Sequence, residues 1–312
     1  MNRTVLARIA RAMVRPGRGL LAADESTGTI KKRFDKIGAE STEENRRAYR
    51  ELLFTAPGIA ESISGVILYD ETLRQATRSG ERFADLLSRQ GIVPGIKVDA
   101  GTKSLPNFPG ELVTDGLDGL AARLAEYHKL GAGFAKWRAV IDIGAGIPTR
   151  TCIESNADLL ARYAALCQEA AIVPIVEPEV LMDGEHTIER CEEVTDAVLA
   201  EVFARLEAHR VYLEGIVLKP NMVVAGAKCP ARASPEQVAE ATLHLDLINR
   251  AGAQPWALSF SYGRALQASA LRVWQGAAAN VAAAQREFAK RARLNSLATA
   301  GQYDPSLEKQ AA

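Results

Sequence analysis

The chain has 312 residues, 47% hydrophobic and 24% charged, with 38 basic residues balancing 38 acidic ones. This composition supplies a sizeable core and excludes global disorder. The balanced charge gives no overall electrostatic case for a nucleic-acid or membrane-surface partner, so any anion site must be local.

No apolar run approaches the ~20 residues needed to span a bilayer. The length exceeds the usual single core but suits a one-domain α/β barrel. No Pro/Gly/Ser-rich linker interrupts it, so a single domain over 1–312 is expected. Cys152, Cys167, Cys191 and Cys229 show no CxxC spacing and the N-terminus is not signal-like. They read as reduced thiols of a cytoplasmic protein. His128, His186, His209 and His244 lie far apart and form no HExxH or triad pattern, and no metal site is expected.

In chain order, β-rich runs alternate with helical stretches. The runs are GLLAADES (19–26), GVILYD (65–70), VPGIKVD (93–99), GFAKWR (133–138), AIVPIVEPE (171–179), GIVLKPN (215–221) and PWALSFSYG (255–263). Between them, TEENRRAYRELLFTA, GLDGLAARLAEYHKLGA and NADLLARYAALCQEA have helical spacing, and 264 to about 300 reads as one Ala-rich helix. The alternation predicts an α/β fold with a parallel sheet and helical crossovers. An open doubly wound sheet competes with a TIM-type barrel, but GLLAADES is no GxGxxG loop.

Six runs end in charge: Asp24, Asp70, Lys97 and Asp99, Lys136 and Arg138, Glu177 and Glu179, Lys219. One such charge is a strand meeting water. Six of mixed sign suggest a ring at the barrel face where strand carboxyl ends gather. Lys219 raises the sharpest question, because a lysine costs free energy to bury unless it is paired, discharged or used. A desolvated lysine beside another cation can attack a ketone, and the resulting iminium is an electron sink for breaking a carbon–carbon bond. Such chemistry needs a carboxyl proton shuttle but no metal or cofactor. Lys219 and Lys136, with Glu177 between them in strand order and Asp24 across the bore, would supply the groups.

The segments LAADESTGTI, GAESTEENRRAYRELLFT, GVILYDETL, GIKVDAG, GLDGLAARLAEYHKLGAGFAKWR, NADLLARYAALCQEAAIVPIVEPEVLMDGEH, YLEGIVLKPNMV and PWALSFSYGRALQASAL carry a further signal. In this order, and over nearly the whole chain, the sequence resembles class I (Schiff-base) fructose-bisphosphate aldolase. The resemblance implies that Lys219 forms the Schiff base, Lys136 is its neighbouring cation, Glu177 shuttles protons, Glu179 supports the lysine network and Asp24 assists cleavage. It implies that Lys97, Arg138 and Arg33 bind the distal part of a sugar bisphosphate, near Ser26 and Thr29, the latter replacing the family's usual serine. Ser261, Gly263 and Arg264 would hold the other phosphate, since a guanidinium and backbone N–H groups suit that anion. Without the resemblance, Arg138–Glu179 reads equally as a structural ion pair and Arg33 as a solvated helix residue. Tyr262 and Trp137 read as packing residues, and EENRR as a solvated helix face.

The resemblance also implies an eighth strand that is not found. Between Lys219 and PWAL the family carries a strand ending in an FLSGGQS-like loop, then a helix, whereas here one helix leads straight to the last strand. Roughly thirty residues, about one βα unit, are missing. Val238, Ala241, Leu245 and Ile248 keep helical spacing across the junction. Nor does Tyr303 occupy the family's terminal-tyrosine position. The implied function is reversible cleavage of fructose 1,6-bisphosphate in glycolysis and gluconeogenesis, with a phosphorylated sugar as partner and a homo-oligomer, commonly a tetramer, as assembly. Two alternatives stand beside it: an impaired or inactive aldolase-like protein, and a lysine-dependent aldolase for a singly phosphorylated substrate.

Overall fold

The computed structural model describes residues 2–231, 259–299 and 305–309. The expected junction helix with Val238, Ala241, Leu245 and Ile248, the start of the last strand at 255–258 and Tyr303 lie outside the described residues. The described strands are β1 (Gly19–Ala23), β2 (Ile63–Leu68), β3 (Val93–Lys97), β4 (Thr102–Ser104), β5 (Leu112–Thr114), β6 (Phe134–Ile141), β7 (Val173–Val180), β8 (Val217–Leu218) and β9 (Ser261–Tyr262). Seven of them overlap the seven expected runs. The sequence reading missed the antiparallel β4–β5 hairpin.

The chain divides into two compact units. One comprises residues 11–97, 127–134 and 257–312. Its strands follow the order β3-β2-β1-β9, with β1 parallel to both β2 and β9 and β2 parallel to β3. β2 is buried throughout, as expected for a parallel strand covered on both faces. The helix Glu43–Phe54 starts where the side chain of Thr42 accepts the backbone N–H of Asn45 at 3.1 Å. The core of this unit gathers Phe34, Tyr49 and Trp274, whose rings lie 5.2–5.6 Å apart, and a T-shaped Phe54–Phe83 pair at 5.3 Å.

At Gly95 the strand admits no side chain, because a Cβ would lie 2.3 Å from the ring of Phe134. The buried aromatic occupies the volume that any larger residue would need. Gly95→Ala is therefore expected to destabilise the protein by about 1–3 kcal/mol through overpacking, read as a lower urea midpoint at unchanged slope.

The segment expected as one Ala-rich helix is two, Arg264–Trp274 and Val281–Thr299. They part at Gln275 and Gly276, with φ of 49° and 76°, left-handed values that end a helix.

The other unit comprises residues 1–10, 98–126 and 135–256, described as far as 231. β7 lies between β6 and β8 and runs parallel to β8. Helix Arg150–Glu169 begins at Thr149, whose hydroxyl accepts from Cys152 N at 3.2 Å. The buried carboxylate of Glu111 takes 2.6 Å bonds from both the N–H and the hydroxyl of Thr149. Helix Ile188–Ala208 is capped in the same way by Thr187. Trp137 is fully buried and packs on Tyr163 at 5.5 Å, the packing role expected for it.

Candidate active site

A strand's period of two explains the first cluster, in the unit containing β6–β8. Lys136 and Arg138 project from one face of β6 while Trp137 turns to the other, and Glu177 and Glu179 share a face of β7 in the same way. Beyond β8, the backbone N–H of Lys219 donates to Val176 O at 2.8 Å, extending the β7–β8 register by one rung and bringing Lys219 level with Glu177.

The side chains then meet around one carboxylate. Lys219 Nζ donates to Glu177 Oε1, and Lys136 Nζ stands 3.4 Å from Glu177 Oε2. Glu177 is 3% exposed and Lys136 8% exposed, so both charges are withdrawn from water and compensate each other. Among the described residues Glu177 Oε2 accepts no hydrogen bond, so it can take a proton or a new donor. Lys219 is only partly buried, its side chain 28% exposed, so its amine stays approachable. Arg138 Nε donates to Glu179 Oε2, the ion pair that was one of two readings for these residues.

The second cluster belongs to the unit of β1, β2, β3 and β9. Parallel strands put their carboxyl ends on one edge, where Asp24 follows β1, Lys97 ends β3 and Gly263 follows β9. Asp24 and Lys97 are half-buried and Arg264 is exposed at the start of its helix. A Cβ on Gly263 would lie 3.3 Å from Ala22 O, so glycine lets this turn pass close to the end of β1. Ser261 Oγ is buried with no hydrogen-bond partner among the described residues. Ser26 Oγ and Thr29 Oγ1 are 3.1 Å apart. Tyr262, expected to pack, is 42% exposed and stacks on Phe260.

Beneath this edge lies a network that the sequence reading missed. Glu25 accepts from Arg33 Nη1 and Gln267 Nε2 through Oε1, and from Arg50 Nη2 at 2.6 Å through Oε2. Gln267 also donates to Ala22 O at 2.6 Å and accepts from the Tyr49 hydroxyl at 3.0 Å. Two guanidinium groups thus share one buried carboxylate. Arg33 is anchored rather than solvated, and Arg50, three residues beyond EENRR in the same helix, is 2% exposed. Arg46 and Arg47 in the same helix are half-buried and paired with Glu71, Glu44 and Glu51.

Burial holds two of the four cysteines as thiols. All four are free and buried, and burial pushes the Cys152 thiol up to about 11 and the Cys167 thiol higher still, which keeps both protonated at neutral pH. Among the described residues, no group of three or more His, Cys, Asp or Glu is placed to hold a metal ion, and no helix is long and apolar enough to cross a membrane.

Comparison with known proteins places the chain in a family. The sequence model of the family described as fructose-bisphosphate aldolase class-I matches residues 5–245 and, separately, 239–312. The chain is 52% identical to a probable fructose-bisphosphate aldolase class 1 of Xanthomonas campestris, covering 96% of this chain and 98% of that one. It is 51% identical to a fructose-bisphosphate aldolase of Dictyostelium discoideum, over 94% of this chain and 91% of the relative. Among solved structures, a fructose-bisphosphate aldolase from Plasmodium falciparum matches with a TM-score of 0.91 and 48% identity, covering 97% of this chain and 96% of the other. The fold is thus of the α/β TIM type, with seven strands of the expected eight among the described residues. The chain belongs to the class I fructose-bisphosphate aldolase family.

Proposed function

We propose that this chain reversibly cleaves fructose 1,6-bisphosphate to dihydroxyacetone phosphate and glyceraldehyde 3-phosphate through a Schiff base on Lys219. The observation that carries the reading is the pairing of Lys219 and Lys136 with the two oxygens of the buried Glu177. It supplies a nucleophile, the base in contact with it and a second cation.

In this scheme Lys219 first passes a proton to Glu177, the freed amine attacks the substrate ketone, and Glu177 returns that proton to the departing hydroxyl, which leaves as water and gives an iminium. Cleavage sends the electrons of the broken carbon–carbon bond into the iminium to form an enamine, while the hydroxyl that becomes the aldehyde loses its proton to the carboxylate side. Asp24 orients that hydroxyl, and Glu179 holds the lysine network through Arg138. Ser261, Gly263 and Arg264 bind one phosphate. Binding of the other end is assigned to Lys97, Arg138, Arg33, Ser26 and Thr29. Every step uses groups of the protein alone. We further propose one domain spanning 1–312, a homo-oligomer and a cytoplasmic location. The two partial family-model matches support the loss of about one βα unit near residue 240.

The test is borohydride trapping with dihydroxyacetone phosphate followed by peptide mass mapping. The expected result is one adduct, on the peptide carrying Lys219. A folded protein that gives no adduct would overturn the reading. Comparing fructose 1,6-bisphosphate with fructose 1-phosphate then sets the substrate: faster cleavage of the bisphosphate is expected, and equal rates would favour a singly phosphorylated substrate.

A further inference from the structure

β8 is a very short support for a nucleophile. It has two residues, pairs among the described residues with β7 alone, and is only half-buried. Two rungs, Ile175↔Val217 and Val176↔Leu218, and the Lys219 N–H on Val176 O fix the approach to Lys219. After Lys219 the chain meets the exposed Pro220, which has no N–H to donate.

What holds the far side is a side chain. Asn221 Oδ1 accepts the backbone N–H of Val180 at 3.2 Å, and Asn221 Nδ2 donates to Thr195 Oγ1 and to Met222 O, both at 3.1 Å. Val180 ends β7, three residues beyond Glu177. Thr195 lies in helix Ile188–Ala208 and is 1% exposed, so its hydroxyl is a fixed point. One amide thus ties the segment after Lys219 to the end of the strand that bears Glu177, and to the helix. Its two ends are not interchangeable: the oxygen faces a backbone donor and the nitrogen a backbone carbonyl.

We infer that Asn221, held by Thr195, is a positioning residue that sets the distance between Lys219 and Glu177. This rests on the Schiff-base reading of Lys219. The clamp restricts the chain just after Lys219, adding side-chain bonds beyond the last rung to β7. Among the described residues the hydrogen bond of the reacting amine goes to Glu177, not to Asn221 or Thr195, so their effect falls on the rate of proton transfer and attack rather than on substrate capture.

The experiment compares Asn221→Ala, Thr195→Val and Thr195→Ser with the wild-type chain. Asn221→Ala and Thr195→Val are expected to lower kcat by about 10–100-fold, the scale of a roughly 1 Å misplacement, with KM changed less than about threefold. Thr195→Ser keeps the acceptor and should restore kcat. Lys219 acylation by acetic anhydride, mapped by mass spectrometry, is read alongside, because it needs no turnover. Loosening the Lys219–Glu177 contact should speed that labelling several-fold. Folded Asn221→Ala with wild-type kcat and labelling would overturn the inference. If Asn221→Ala does not fold, the isosteric Thr195→Val decides in the same way, and failure of both to fold would assign the pair to stability alone. A wild-type chain that traps no substrate refutes the Schiff-base reading instead, and the labelling comparison still tests the clamp.

Discussion

Replacing Lys219 by methionine is expected to abolish trapping and to lower turnover of fructose 1,6-bisphosphate by about 10⁵-fold, the scale reached when a covalent nucleophile is removed. Methionine keeps the length of the side chain and removes only the amine. The fold should survive the change for an electrostatic reason. Lys136 still stands 3.4 Å from Glu177, so the buried carboxylate is not left without a counter-charge. Lys219 is the more exposed of the two lysines and has less packing to lose. The melting midpoint should therefore stay within about 3 °C of the wild type. A Lys219→Met protein that melts normally and still turns over within tenfold of the wild type would place the nucleophile elsewhere, with Lys136 the first alternative.

The two site clusters differ in how plainly the sequence announced them. Lys136, Glu177 and Lys219 could be found because each ends a run of apolar residues, and strand alternation says which neighbours share a face. The Asn221 clamp had a weaker signal, an asparagine just after Lys219-Pro220, because its partners Val180 and Thr195 lie 41 and 26 residues away. The Glu25 network was more hidden still. Gln267 reaches Glu25 across 242 residues, and no local pattern marks Arg50 as buried rather than solvated.

Element boundaries failed for the same physical reason. The helix read from Asn156 begins at Arg150, because its cap, Thr149, is fixed by Glu111, 38 residues earlier. The β4–β5 strands are three residues each, too short for any periodicity to register, and β4 is wholly exposed. Local alternation therefore specified the strands and their terminal charges, while tertiary contacts chose the helix start and the anchors beneath the site.

Glu177→Gln should separate the two halves of the proposed chemistry. The amide keeps the shape of the side chain and an oxygen near Lys219, but it cannot take or return a proton. Turnover is expected to fall by about 10²–10⁴-fold, the usual contribution of a positioned general acid–base group. Trapping should persist, because the amine that forms the adduct is still present and solvent can slowly carry its protons. The substitution also leaves the 8%-exposed Lys136 without the carboxylate it faces, so some stability should be lost as well. Rates must accordingly be normalised to the folded fraction measured by a thermal melt. The decisive comparison is with Lys219→Met, in which trapping and turnover vanish together. If Glu177→Gln loses both in a folded sample, Glu177 is needed to form the Schiff base itself. If it loses neither, proton transfer runs through another group, and Glu179 on the same face of β7 becomes the candidate.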